Sequence, residues 1–153
     1  MASGNGKRRN RKKHVDELLT EELLDELIDS ASPEDVVDKY RFDDSSLSDC
    51  LQRLANAKGI SRAEAIRRAD LNNTFGYQVF VGQRGASRNK VLQLAFALEC
   101  DLHDANRLLQ TAGASSLYCK NRRDAIIIFC ITHGLSLQSA NEKLFEFGED
   151  TIC

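Results

Sequence analysis

The side chains that could support catalysis or bind a metal are the histidines and cysteines, and they are few and scattered. His14, His103 and His133 lie far apart along the chain. The cysteines are odd in number and form no CxxC pair, which favours reduced thiols over a zinc site or a disulfide framework. They are Cys50, Cys100, Cys119, Cys130 and Cys153. No glycine-rich phosphate loop or nucleophile elbow is present either. We therefore expect no enzyme, no metal site and no cofactor.

The distribution of charge gives the first indication of a partner. The net charge of −2 conceals blocks of opposite sign. Residues 1–13 carry six bases and no acid (+6), and residues 14–44 carry twelve acids against two bases (−10). Residues 45–92 carry eight bases against three acids (+5), and residues 93–153 carry five bases against eight acids (−3). A basic block within an acidic chain indicates an anionic partner for that block.

The elements that must position these charges are helices. Apolar residues recur at helical spacing, no segment alternates with period two, and a single proline argues against a turn-rich β fold. We predict an all-α chain with four parts. These are a disordered basic tail (1–13), an acidic helical arm (14–44) whose first helix covers Val15–Ile28, a five-helix domain (45–114) and a C-terminal helical hairpin (115–153). No apolar run reaches the roughly 20 residues of a membrane span, so we expect a cytoplasmic protein without membrane contact.

Two short helices joined by a tight turn lie inside the basic block. Ser61–Ala69 and Asn72–Val81 have the outline of a helix-turn-helix, in which the first helix braces the second against DNA. The stretch from Ile60 to Leu102 (ISRAEAIRRADLNNTFGYQVFVGQRGASRNKVLQLAFALECDL) resembles the lambda-repressor-like, xenobiotic-response-element type of bacterial regulator. One departure is Gly76, because the family normally carries a branched apolar residue there.

The resemblance implies where DNA would bind. The helix Asn72–Val81 would enter the major groove of double-stranded DNA, with Asn73, Thr74 and Gln78 reading base edges and Tyr77 beside them. Asn and Gln side chains can bond adenine in a bidentate manner, which discriminates by about 1–3 kcal/mol per pair.

The resemblance also implies a set of backbone contacts and a dimer. The residues expected to bind phosphate are Arg62, Asn72, Arg84, Arg88 and Lys90. Such regulators usually act as homodimers on two-fold sites, because one short helix reads few base pairs.

The C-terminal segment looks like a copy of the two helices before it. A shift of 35 residues aligns Arg88–Gly113 with Arg123–Gly148 and suggests a second hairpin, Asn121–His133 and Ser136–Phe147. Its first helix is apolar on nearly all sides. Either the leucines of the acidic arm cover it, or it forms a protein interface centred on Ile127 and Phe129.

The sequence therefore predicts a DNA-binding transcription regulator associated with the nucleoid. One alternative is a helical adaptor, antitoxin-like or signalling, that binds a protein through the C-terminal hairpin. Another is non-specific DNA association through the basic tail. The acidic arm could also dock on the basic face and compete with DNA.

Overall fold

The computed structural model describes residues 12–15, 18–42 and 44–153. They form two compact units, one ending at Asp44 and the other covering Ser45–Cys153. The described residues contain nine helices and one pair of two-residue strands, so the chain is predominantly helical, as predicted. Residues 61–81 and the C-terminal hairpin belong to the same unit, with no division near residue 114.

The first unit is a small arm of helices and strands. Strand β1 (Lys13–His14) pairs in parallel with β2 (Tyr40–Arg41), and the helices between them are α1 (Thr20–Asp29) and α2 (Glu34–Val37). Helix α1 is held by Glu26, whose carboxylate accepts hydrogen bonds from Lys39 Nζ at 2.6 Å and Tyr40 Oη at 2.5 Å. The apolar side chains Leu19, Leu24, Leu27 and Ile28 are exposed.

Two predictions for this unit differ from the structure. The helix expected over Val15–Ile28 begins only at Thr20, and its N-terminus is fixed by the Glu22 carboxylate, which accepts from the Leu19 N–H at 3.2 Å. The predicted basic tail falls mainly on residues 1–11, which lie outside the described residues. Its last residue, Lys13, is in β1 because the backbone there pairs with Tyr40.

The second unit contains seven helices. Their bounds are α3 (Leu47–Lys58), α4 (Arg62–Arg68), α5 (Asn73–Phe80), α6 (Arg88–Ala97), α7 (Leu102–Thr111), α8 (Arg122–Thr132) and α9 (Leu137–Glu146). Six of these helices begin at a residue whose side chain accepts a backbone N–H of the first turn, which stabilises a helix by about 1 kcal/mol. These residues are Ser46, Ser61, Asn72, Asp101, Asn121 and Ser136.

The core of this unit surrounds α6. Val91, Leu92, Leu94 and Leu98 are fully buried, although they project from different sides of the helix. Helix α4 packs on α6, while α3 packs on α5 and α7. The same apolar cluster extends through Ile127 of α8 and into α9. Helices α4 and α5 are thus supported by a continuous core that includes the C-terminal hairpin.

The hairpins α6–α7 and α8–α9 repeat each other in backbone detail. Both pairs of helices are joined by a turn with a residue at positive φ, Glu99 at 52° and Gly134 at 67°. Both second helices end at a glycine at positive φ, Gly113 at 72° and Gly148 at 73°. Each of these positions is separated from its counterpart by 35 residues. The turns and helix ends of the second hairpin therefore match those of the first.

The segment after each hairpin is fixed by the same side chain. Asn106 Oδ1 accepts from the Leu117 N–H at 2.8 Å, and Asn141 Oδ1 accepts from the Ile152 N–H at 2.7 Å. Leu117 and Ile152 are both buried. Two asparagines 35 residues apart thus fix two equivalent segments, residues 114–117 after α7 and residues 149–152 after α9. We call these segments the straps, and each strap is bound to the second helix of its own hairpin.

The two hairpins meet through reciprocal contacts. The Arg88 guanidinium donates to both Asp124 oxygens at 2.8 and 2.9 Å, and Arg123 Nη2 donates to Asn89 Oδ1 at 3.0 Å. Arg123 is the counterpart of Arg88, and Asp124 is the counterpart of Asn89. Helix α6 also packs on α9, while α7 packs on α8. This exchange of equivalent partners is typical of an approximate two-fold relation, so each hairpin presents the same face to the other.

Candidate nucleic-acid interface

The turn between α4 and α5 is short and fixed at both ends. Asp70 has φ of 56°, a left-handed conformation that Asp tolerates better than most residues, and the Leu71 N–H donates to Ile66 O at 3.2 Å. The Asn72 Oδ1 then accepts from the N–H groups of Thr74 and Phe75 at 2.9 and 3.1 Å. Helix α5 consequently starts at a defined angle immediately after α4 ends.

Gly76 lets the two helices come into close contact. A Cβ at this position would lie 2.7 Å from both Cγ1 and Cγ2 of Ile66 on α4. Those atoms are attached directly to the Cβ of Ile66, so they cannot move away without a shift of the whole side chain. The departure from the resembling family therefore has a packing reason, because Ile66 fills the space that a larger residue would occupy. The helix continues without interruption through this position.

Helix α5 has one buried face and one polar face. Gly76, Val79 and Phe80 are buried against the core. Asn73 and Thr74 are exposed, Gln78 is half-buried, and Tyr77 retains 45% of its accessible surface. These four residues occupy positions i, i+1, i+4 and i+5, which share one side of a helix. The predicted base-reading residues are thus brought together in a single row on the surface.

Polar side chains of α3 and α6, of which Ser48 and Gln93 are buried, fix the ends of this segment. The Phe80 carbonyl oxygen accepts from Ser48 Oγ at 2.5 Å and Gln52 Nε2 at 2.8 Å, both on α3. The Ala69 carbonyl oxygen accepts from Gln93 Nε2 of α6 at 2.8 Å. These positioning residues were missed in the sequence. Ser48 and Gln93 could have been found as polar residues at core positions, since buried polar groups need partners.

Two predicted phosphate-binding arginines flank the polar row. The Arg62 guanidinium lies 4.6 Å from the ring centroid of Tyr77, and the Arg84 guanidinium lies 5.0 Å from that of Phe75. A guanidinium that stacks on a ring keeps its N–H groups at its edge, where they can bind an oxyanion. Lys90 at the start of α6 is half-buried. The structure therefore groups Arg62 and Arg84 with the α5 surface.

The remaining predicted phosphate-binding residues have roles inside the chain. Asn72 caps α5 with its side-chain oxygen. Arg88 is bound by Asp124 and also donates to the Ser115 and Ser116 carbonyl oxygens at 3.0 and 3.3 Å. Four of its five N–H donors make these contacts, so Arg88 is a structural residue at the junction of the two hairpins.

Two further arginines on α4 are also paired. Arg67 and Arg68 both donate to the Glu64 carboxylate, and these bonds lower the pKa of Glu64 to about 2. Their charge is partly neutralised by this exposed carboxylate.

The two residues predicted for a protein interface are separated in the structure. Ile127 is fully buried in the core, so it is a packing residue and cannot contact a partner in the folded chain. Phe129, on the same helix, retains 51% of its surface. The difference arises because α8 packs on α7 and α9 with the side that carries Ile127, while Phe129 projects from another side.

Three of the five cysteines, Cys50, Cys100 and Cys130, are buried, whereas Cys119 and Cys153 are exposed. Burial raises the pKa of the Cys100 thiol to about 12, which keeps it protonated and unreactive. Within the described residues, no group of three or more His, Cys, Asp or Glu side chains could hold a metal ion. No helix in the part of the chain that the structure describes has the length and apolar composition needed to cross a membrane.

Comparison with known proteins identifies no family for this chain. No protein-family model, curated protein or solved structure matches it. The lambda-repressor-like assignment therefore remains a prediction based on the residues from Ile60 to Leu102. The case for a function depends on the α5 surface and its surroundings.

Proposed function

We propose that this protein is a sequence-specific DNA-binding transcription regulator that inserts α5 into the major groove. The observation that carries the proposal is the row of Asn73, Thr74, Tyr77 and Gln78 on the exposed side of a helix whose other side is locked against α4. Amide and hydroxyl groups are the donors and acceptors that read base edges. A short helix that stands out from its support fits the wide groove of B-DNA.

The charges around α5 are consistent with DNA as the partner. Arg62 and Arg84 flank the polar row, and residues 45–92 carry a net charge of +5, from eight bases and three acids. We assign Arg62, Arg84 and Lys90 to phosphates, which supply affinity and orientation without sequence choice. Asn73, Thr74 and Gln78 then supply the discrimination between sites. No enzymatic step, metal or cofactor is part of this mechanism, and the protein would associate with the nucleoid.

The proposal can be tested by selecting bound fragments from a random pool of duplex DNA with the full chain. We expect a defined motif to be enriched, and its affinity is then measured by fluorescence anisotropy at several salt concentrations. Gln78→Ala and Asn73→Ala should each reduce discrimination between the motif and scrambled DNA by roughly 5–150-fold, because a bidentate base contact contributes about 1–3 kcal/mol. Arg84→Gln should weaken binding to all sequences equally and reduce the salt slope by about 0.9.

A matched control is Gln138→Ala, which removes an exposed amide from α9, far along the chain from α5. It should bind DNA like the unchanged protein. Failure of the pool to yield any motif, or a motif that is bound equally well by Gln78→Ala, would contradict the proposal.

A helical adaptor is the second candidate, and one observation favours it. The exposed aromatic residues Phe129 and Phe147 border an apolar groove on the C-terminal hairpin. An adaptor would be indifferent to Asn73→Ala and Gln78→Ala but would lose its partner on Phe129→Glu. The selection experiment thus separates the two candidates, since only a regulator enriches a DNA motif.

A further inference from the structure

The C-terminal hairpin has an open apolar groove on its outer side. It has a volume of about 520 Å³ and is lined by Arg122, Ala125, Ile126, Phe129, Lys143 and Phe147. We refer to these six residues as the end groove. Phe129 on α8 and Phe147 directly after α9 retain 51% and 49% of their surface, a large exposed fraction for aromatic side chains. Exposed apolar surface of this kind marks an interaction site more often than chance.

The internal repeat shows that helices cover the equivalent of the end groove in the first hairpin. The counterparts of Phe129 and Lys143 in the first hairpin are Leu94 and Leu108, and both are fully buried. Helix α4 packs on α6, and α3 packs on α7, so helices cover the first hairpin where these leucines lie. The same face is therefore covered by helices in the first hairpin, α6–α7, and open in the second, α8–α9.

The opposite face of each hairpin is already in use. The reciprocal contacts of Arg88 with Asp124 and of Arg123 with Asn89 show that the hairpins meet through equivalent faces. The end groove is not part of that contact. The hairpin α8–α9 thus already packs against its internal repeat, α6–α7, in an approximately two-fold arrangement within one chain.

The charges at the rim of the end groove are balanced within the chain. Arg122 Nη1 lies 3.0 Å from Glu149 Oε1, and Lys143 Nζ lies 3.6 Å from Glu146 Oε2. A rim with two cations and two acids offers no net charge to attract a strongly acidic or basic partner. It does not repel an identical surface either, and the ion pairs could be exchanged across a two-fold axis.

We propose that the end groove is a homodimer interface, in which α8 and α9 pack against α8 and α9 of a second copy. Phe129 of each copy fills the groove of the other, and the four helices form a bundle. Such an isologous contact needs only one self-complementary patch, here the exposed Phe129 ring and the groove that it lines. The arrangement holds whether or not α5 binds DNA, because the groove shares no residue with the α5 surface.

Sedimentation equilibrium of the full chain, without DNA, tests this inference. We expect the unchanged protein to reach twice the chain mass as its concentration rises. Phe129→Glu should raise the dimer dissociation constant by about 30-fold or more, the effect of losing a central aromatic anchor. Phe147→Glu should act in the same direction. Phe145→Glu is the matched control, because Phe145 lies on α9, is 79% exposed and does not line the groove.

Circular dichroism of each variant establishes that it is folded before its mass is measured. A chain that remains monomeric at all concentrations would overturn the inference. So would a dimer that survives both Phe129→Glu and Phe147→Glu, or one that Phe145→Glu disrupts as strongly. If the protein forms a dimer that depends on the end groove but selects no DNA motif, the homodimer interface stands and the regulator proposal is contradicted.

Discussion

Gly76 is the residue on which the geometry of the proposed reading helix depends most directly. In Gly76→Ala the new Cβ would overlap two Ile66 atoms that cannot move independently, so we expect a cost of about 2–3 kcal/mol, the upper part of the range for overpacking. The higher helix propensity of Ala recovers about 1 kcal/mol. We expect a net loss of about 1–2 kcal/mol in the free energy of unfolding, measured by urea denaturation.

Gly85→Ala is the control for this change, because nothing lies within 4 Å of the added Cβ and no positive φ is involved. It should leave stability within about 0.5 kcal/mol. Combining Gly76→Ala with Ile66→Val should recover part of the loss if the clash is its cause. A Gly76→Ala protein as stable as the unchanged chain would show that the two helices do not approach as closely as described.

Asp124 is the residue whose charge contributes most clearly to joining the hairpins. Its side chain is buried, which by itself raises the pKa, but hydrogen bonds from Arg88 and the Tyr118 N–H outweigh burial and hold the pKa below its ordinary value. A carboxyl with a lowered pKa in the folded state stabilises the protein above its unfolded pKa of about 3.9, and this contribution is lost as the pH falls further.

The expected consequence is a pH-dependent effect of Asp124→Asn. At pH 7 the variant should lose about 3–5 kcal/mol, because Arg88 is left partly buried without a counter-charge. Below about pH 3.9 the difference from the unchanged protein should shrink, since the carboxyl then takes up a proton on unfolding and, at still lower pH, in the folded protein as well. Chemical denaturation at pH 7 and pH 3 measures both differences. A penalty that stays constant between these pH values would show that the charge of Asp124 does not stabilise the fold.

At the scale of elements, we expect the straps to contribute to the stability of the fold as the helices do. The strap after α9 contains Ile152, whose side chain is buried and whose N–H donates to Asn141. Ile152→Ala should cost about 2–4 kcal/mol, although the residue is next to the end of the described chain, because it removes buried methyl groups from the hairpin core. Thermal unfolding followed by circular dichroism detects the loss.

Asp150→Ala is the comparison for the strap, because the exposed Asp150 contributes its backbone carbonyl oxygen to Arg123 and its side chain is not needed for that bond. It should unfold close to the temperature of the unchanged protein. If Ile152→Ala behaves like Asp150→Ala, the strap is dispensable and the second hairpin is stabilised by its helices alone.

The element bounds also show what local sequence can predict. The N-caps Ser61 and Asn72 gave the starts of α4 and α5, since a side-chain oxygen followed by helical spacing is a local signal. The start of α1 was wrong by five residues because Val15 and the leucines after it continue the same spacing without a break. Strands β1 and β2 were missed, because two residues are too short for any alternation to be recognised.

At the scale of the whole molecule, the separation of charge gives a further prediction about DNA binding. Residues 1–11 contribute four bases, Lys7, Arg8, Arg9 and Arg11, and no acid. If the tail contacts phosphates, deletion of residues 1–11 should reduce the slope of log K against log salt by about 0.9 per contact, hence by up to about 3.6. Sequence preference should be unchanged, because α5 is retained. Fluorescence anisotropy on preferred and scrambled DNA measures both quantities.

Loss of all DNA binding in that deletion would favour non-specific association through the tail. An unchanged slope would show that the tail makes no phosphate contact in the complex. Replacing the four bases by Gln in the full-length chain provides the control for chain length, and it should behave like the deletion if charge is the cause.

By itself the sequence determined the helical character of the chain, the N-caps of α4 and α5 and the row of amide and hydroxyl side chains on α5. These follow from signals within a few residues, namely periodicity and capping chemistry. Only the tertiary structure decided that Arg88 forms an ion pair with Asp124 and that Ile127 is buried while Phe129 is exposed. It also decided that Ile66 packs against Gly76. Each of these depends on a residue distant in sequence or on another helix, and the spacing along one helix cannot reveal which neighbour occupies each side.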